Sequence, residues 1–179
     1  MSQEIKKIPE GIIEATNLRV GFNTSDSWIG KLIRWATKGV VSHVYLAYND
    51  VTTGQPMVIE AAWNGFVAHS RDNALSGTKV VKEFKLVGDG MLEQKILSQS
   101  MRWLGRAYDY RGLVGAAVVQ VGRWFKKKWA NPLQDSNALF CSEAIARALK
   151  EAHYPNADKL AEPSQVSPQD LFDWFEAHK

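Results

Sequence analysis

Cys141 is the one cysteine in a chain of 179 residues, and its surroundings place it at the start of a helix. In the stretch Asn137–Lys150, Cys141, Ala144, Ile145, Ala148 and Leu149 recur at spacings of three and four, and Ala152 continues the row. Ser142, Glu143, Arg147 and Lys150 fall off that stripe, as expected of an amphipathic helix. Asp135, Ser136 and Asn137 lie just upstream and are good N-cap types. A sulfur in the first turn sits beside unpaired backbone N–H groups and the positive end of the helix dipole, which favour a thiolate nucleophile. A lone cysteine on an apolar stripe is also an ordinary small core residue, so a base must be found elsewhere.

Four histidines are available: His43, His69, His153 and His178. His178 is next to the last residue and reads as solvated. His153 ends the Cys141 helix, about 18 Å away at 1.5 Å per residue, too far to act as its base. His43 lies in the apolar stretch Val40–Tyr48, where an imidazole needs a partner, structural or catalytic. Glu60, within Met57–Ala62, is a carboxylate among apolar neighbours and is costly there unless paired. If the two strands are adjacent, Glu60 can hold one ring nitrogen of His43 while the other faces Cys141. That makes a nucleophile, a base and an orienting group. His69 competes with Glu60 for the third place, and pairing of Glu60 with a lysine or arginine at a sheet edge is the structural alternative. A metal site built from His43, Glu60, His69 and Cys141 lacks tight ligand spacing, so neither metal nor cofactor is expected.

The elements that must position these groups follow in order. Leu18–Phe22 reads as a strand. Thr24-Ser-Asp-Ser caps a helix bearing Trp28, Ile29, Leu32, Ile33 and Ala36 on one side, closed near Gly39. Val40–Tyr48 is a strand buried on both faces, and Pro56–Trp63 is its antiparallel neighbour. Asn64-Gly65 is a hairpin signal leading to Phe66–His69. Lys79–Leu86 is a strand of mixed polarity suited to an edge. Asp89 opens a helix with Leu92, Ile96, Leu97, Met101 and Leu104 inward, ending at Gly105. The Cys141 helix and a last helix, capped by Ser167-Pro168 with Asp170 in its first turn, complete the chain. Strands cluster rather than alternate with helices, which indicates an α+β fold with a central antiparallel sheet packed against helices.

The chain is long enough for one domain over 1–179, with a helical insert at about 112–130. Net charge is +3, too small to indicate a nucleic-acid partner. A single cysteine excludes an internal disulfide framework and fits a reducing compartment. The charged first ten residues lead into no apolar run, and the longest apolar run, Leu113–Val121, is about half of what a membrane-spanning helix needs. These features point to the cytoplasm.

Ser42-His43-Val44, Val58-Ile59-Glu60-Ala61, Gly105-Arg-Ala-Tyr108-Asp109, Phe140-Cys141-Ser142-Glu143 and Ser167-Pro168-Gln-Asp170-Leu171 together resemble the circularly permuted NlpC/P60 group. These are papain-like thiol hydrolases that include the YiiX-like proteins and are related in fold to the lecithin:retinol acyltransferase type. The resemblance spans roughly residues 17–175 and places the histidine strand ahead of the cysteine helix, as the permuted members do. It implies Cys141 as nucleophile, His43 as general base, Glu60 at the polar third position and Tyr108 near the active site, with an oxyanion donor from the Cys141 backbone N–H and a group such as Tyr108. It also implies a bacterial or phage origin. The activity implied is that of a hydrolase, amidase or thiol protease, or of an acyltransferase. It would pass through a thioester, with an amide or ester of a cell-wall peptide or a lipid-linked molecule as substrate. A catalytically inactive papain-like binding module is the competing reading. The oligomeric state stays open.

The insert bears on the substrate. Leu113–Val121 is followed by Arg123-Trp-Phe-Lys-Lys-Lys-Trp129, an apolar run meeting a basic, tryptophan-rich end. It resembles an interfacial helix making weak membrane-surface contact, although such a stretch in a globular chain is more often a core helix with a solvated basic end. Replacing Lys126, Lys127 and Lys128 by alanine abolishes sedimentation with anionic liposomes at low salt on the first reading. No binding by the unaltered chain at low salt is the outcome that rejects it.

Overall fold

The structure, a computed structural model, describes residues 15–107, 122 and 140–178. Tyr108 and, apart from Gly122, the insert expected at 112–130 lie outside the described residues. So do Asp135, Ser136 and Asn137.

Five strands form the sheet: β1 (Ala15–Thr24), β2 (His43–Asp50), β3 (Pro56–Ala62), β4 (Gly65–Ser70) and β5 (Lys79–Lys85). Their spatial order is β4-β3-β2-β1-β5, with every neighbouring pair antiparallel. The expected α+β architecture is therefore present, with β2 at the centre and β5 at an edge. Helix α1 (Trp28–Thr37) joins β1 to β2, and the short α2 (Arg71–Leu75) joins β4 to β5. After the sheet come α3 (Gly90–Met101), α4 (Cys141–Glu151) and α5 (Pro168–Ala177).

Alternation along the strands sorts side chains to two faces. Val20, Phe22, Val44, Leu46, Ile59, Ala61, Phe66 and Phe84 join Ile96, Leu97, Ala144, Ile145, Leu149, Leu171 and Phe175 in one buried cluster, which seats α3, α4 and α5 on that face. Tyr45, Ala47 and Val58 point the other way and pack with Ala74 and Leu75 of α2. This is why β2 is an almost unbroken apolar run: it is covered on both sides.

Several boundaries differ from the sequence reading for local reasons. β2 begins at His43 rather than Val40, because the Val40 amide is held at 2.8 Å by the side-chain oxygen of Gln169 in α5 instead of by a neighbouring strand. The β3–β4 hairpin pairs Ala62 with Gly65, so its two-residue loop is Trp63–Asn64. Helix α3 stops at Met101, and the chain tightens into three-residue turns, with the Trp103 and Leu104 amides bonded to the Ser100 and Met101 carbonyls. Trp28 is exposed, and the buried side of α1 runs through Gly30, Ile33 and Ala36. The Ser27 cap of α1 and the Asp89 cap of α3 are both formed. At α5 the Ser167 and Asp170 side chains each accept the other's backbone amide, a complete capping box.

Gly21 marks a close approach inside the sheet. It pairs with Tyr45 across β1 and β2, and a Cβ at Gly21 would lie 2.2 Å from the tyrosine ring. Tyr45 is also pinned by its hydroxyl, which donates to Glu83 at 2.8 Å. Gly21→Ala should therefore lower stability by about 1–3 kcal/mol, measured by urea denaturation. A change within error would mean that the ring has room to move.

Candidate active site

Cys141 is the first residue of α4, and Phe140 occupies the N-cap. The expected polar cap is thus replaced by a residue with no side-chain oxygen, leaving the first-turn N–H groups to other acceptors. Negative charge is stabilised at this end of a helix. The amphipathic reading of α4 needs correcting too. Ser142 and Glu143 are buried along with Cys141, Ala144, Ile145, Ala146, Ala148 and Leu149, because the helix is wrapped by β2, α3 and the turn before α5 as well as by the sheet core. The two buried polar side chains have partners: the Ser142 hydroxyl donates to the Val166 carbonyl at 2.6 Å, and Arg147 bonds Glu143 at 2.9 Å.

The sequence-derived trio comes together. His43, at the first position of β2, lies near enough to Cys141 for the sulfur to raise its pKa. Its Nε2 lies 2.5 Å from Oε2 of Glu60, so Nδ1 is the ring nitrogen left for the sulfur. The β2–β3 ladder ends at the Leu46–Ile59 pair. Glu60 lies one residue past that end and His43 three residues past it, where the departing strands leave space for an imidazole and a carboxylate. The Glu60 side chain is only 7% exposed.

His69 joins the same cluster, so the choice between Glu60 and His69 dissolves. Glu60 touches His43 directly, and His69 Nε2 lies 2.7 Å from the other Glu60 oxygen, Oε1. The β3–β4 register pairs Glu60 with Val67 and Val58 with His69, which makes Glu60 and His69 diagonal neighbours on one face. The hairpin signal was legible in the sequence, and counting back from it puts His69 on the Glu60 face. The simultaneous use of both carboxylate oxygens had no sequence signal.

Burial by itself would lower the His43 pKa. The charge and hydrogen bond of Cys141, followed by those of Glu60, outweigh burial and raise it to about 10. Glu60 shows the converse balance: burial would raise its pKa, but hydrogen bonds and charge from His43 and then His69 hold it below the usual value. An imidazole flanked by a carboxylate and a sulfur can take up a proton and, as the imidazolium, return it without leaving its place.

A cleft of about 390 Å³ opens onto His43 and Glu60. Ile29 and Ile33 of α1, with Ala61, Ala62 and Trp63, make its apolar wall, while Asn23, Ser25, Ser27 and Thr78 supply polar groups. Cys141 itself is 2% exposed. Tyr108, expected beside the site, is outside the described residues, and the described chain runs up to residue 107 beside β4. The Phe66 amide donates to the Arg106 carbonyl and the Gly105 amide to the Phe66 carbonyl, both at 2.9 Å.

Because the folded-state pKa of Glu60 is depressed, its contribution to stability is present above its ordinary value of 4.5 and is lost as the pH falls through the lowered one. Between pH ~6 and ~3, the thermal midpoint of the unaltered chain should fall more steeply than that of Glu60→Gln. Parallel curves would show that the carboxylate contributes no linkage.

No family model and no curated protein sequence matches the chain. Among solved structures it is similar to the crystal structure of metalloprotein YiiX from Escherichia coli O157:H7, DUF1105. The two share 19% identity and a TM-score of 0.57, over 89% of this chain and 93% of that one. At this identity the likeness concerns the fold alone, and the chain has a YiiX-like α+β fold.

Proposed function

We propose that the protein is a thiol-dependent hydrolase or acyltransferase acting on an amide or ester, with Cys141 as nucleophile, His43 as base and Glu60 as the group orienting His43. One observation supports it above the rest: the imidazole of His43 meets the Glu60 carboxylate at 2.5 Å and is acted on by the nearby Cys141 sulfur. The order of these residues, with the strand histidine ahead of the helix cysteine, fits the circularly permuted NlpC/P60 arrangement.

With the proton already held by His43 and the sulfur a thiolate, the sulfur attacks a carbonyl carbon to form an S–C bond as the C=O π bond opens to an oxyanion. The resulting oxyanion would meet the Cys141 backbone N–H at the start of α4, with Tyr108 the second donor that the family resemblance implies. Collapse breaks the C–N or C–O bond, and His43 gives its proton to the departing amine or alcohol. Water, deprotonated by His43, then opens the thioester, and the sulfur leaves as the thiolate with the proton kept on His43. An acceptor other than water makes the same sequence a transfer. The partly apolar cleft suits a substrate with an uncharged acyl or peptide portion. The basic, tryptophan-rich segment Arg123–Trp129 would bring a lipid-linked one to it. Among the described residues no helix is long and apolar enough to cross a membrane.

The YiiX structure is that of a metalloprotein. In this chain the donor set does not fit a resident ion. His43 Nε2 and His69 Nε2 face the Glu60 oxygens at hydrogen-bonding distance rather than a common centre. Among the described residues no three His, Cys, Asp or Glu side chains converge on one point. The proposed steps use none.

A second reading rests on the burial of Cys141: a papain-like binding module in which the sulfur only fills the core. Alkylation separates the two. On the enzyme reading, iodoacetamide modifies Cys141 readily at neutral pH, and His43→Ala slows this by about 100-fold or more, moving the rate–pH curve toward that of a free thiol near ~8.5. Equal, slow alkylation of both proteins would leave the binding module standing.

A further inference from the structure

We propose that His69 is a positioning residue of the thiol site: it holds the far oxygen of Glu60, so that the carboxylate presents its near oxygen to His43 in one fixed orientation. This rests on the thiol-hydrolase reading and extends it by one residue, from a chain of three groups to a chain of four.

A carboxylate at the end of a side chain turns easily, since its last torsion is broad and roughly two-fold. Glu60 bonded only to His43 would leave Oε1 buried without a partner, a cost of about 1–3 kcal/mol. His69 meets that oxygen at 2.7 Å while His43 meets the other at 2.5 Å. Both contacts are made by Nε2, so each ring carries its proton there to donate to the carboxylate. For His43 this fixes Nδ1 as the nitrogen that exchanges a proton with sulfur. A rotation of Glu60 would break both bonds together, which is why the second histidine stiffens the first.

Among the described residues neither Arg71 nor Arg19 takes this role. Arg71, two residues beyond His69, is committed to Glu83 at 2.6 Å, and Arg19 bonds the same Glu83 at 3.0 Å. The other charged group facing His69 across the sheet is Glu60 itself. His69 is the most open member of the chain, with its side chain 31% exposed against 21% for His43. It stands where the cluster meets solvent, three contacts away from the sulfur. The tight loop Trp63–Asn64 fixes the register that brings it there.

The experiment is the pH profile of Cys141 alkylation by iodoacetamide in the full chain, with thermal midpoints recorded in parallel, for His69→Ala, His69→Gln and His43→Ala. His69→Ala should slow alkylation at neutral pH by about tenfold, the lower end of what loss of an orienting partner costs, and shift the profile toward higher pH. His69→Gln, whose amide N–H reaches the same oxygen, should restore most of the rate and the profile. A His69→Ala profile superimposable on that of the unaltered chain, beside a strongly altered His43→Ala, overturns the inference alone. So does a rate loss in His69→Ala that vanishes once scaled to the folded fraction. An unchanged rate in His43→Ala overturns the thiol-hydrolase reading and this inference with it.

Discussion

A carboxylate with almost no access to water is the constraint around which this fold is arranged. Glu60 sits within the apolar run of β3 and would be expensive there as a lone charge. Its environment offers an imidazole to each oxygen. That single solution couples three strands, since His43, Glu60 and His69 lie on β2, β3 and β4. It also sets the electrical character of the site. The carboxylate and the sulfur together favour a charged His43 against its burial, and the two imidazoles keep Glu60 ionised against its own.

The helix bearing Cys141 and the strand bearing His43 are far apart in sequence, and a third element brings them into register. The turn from Val166 to Gln169 touches both. Ser142, next to Cys141, is tied to the Val166 carbonyl, and the amides of Val40 and Val41, just ahead of His43, are held by the Gln169 side chain. The capping box of Ser167 and Asp170 stiffens the turn between these two attachments. Gly39 belongs to the same junction: a Cβ there would collide with the Gln169 side chain. The Ser167–Asp170 motif therefore does more than start a helix, because it ties the segment next to Cys141 to the segment just ahead of His43.

Much of this was legible in advance where a local signal existed. The caps at Ser27, Asp89 and Ser167, the doubly covered β2 and the edge position of β5 all follow from residue type and periodicity. The meeting of His43 with Glu60 was readable from two polar residues in two apolar strands joined by a short turn. What was not legible depended on long-range contacts. The start of β2 is decided by Gln169, well over a hundred residues away, and nothing near Val40 announces it. The polar residues Asp135–Asn137 suggested a cap, yet the N-cap is Phe140, because packing rather than side-chain capping sets the start of α4. Ser142 and Glu143 were assigned to solvent by helical period, but α4 is enclosed on more than one side. The placement of His69 was half legible: its face followed from the hairpin, while the sharing of one carboxylate by two rings did not.

The hydrogen bonds between Phe66 and the Gly105–Arg106 segment have a consequence beyond the site. A terminal strand normally offers a row of bare amides and carbonyls on which a foreign strand can grow. Here the chain folds back and occupies the Phe66 positions of β4 itself, and Gly65 is the residue type that lets it come so near, since a Cβ there would lie 2.6 Å from the Arg106 carbonyl oxygen. At the opposite border β5 carries Lys79, Lys82 and Lys85, charges that repel a like neighbour. The sheet is thus guarded against self-templating by a backbone latch on one flank and by cationic side chains on the other.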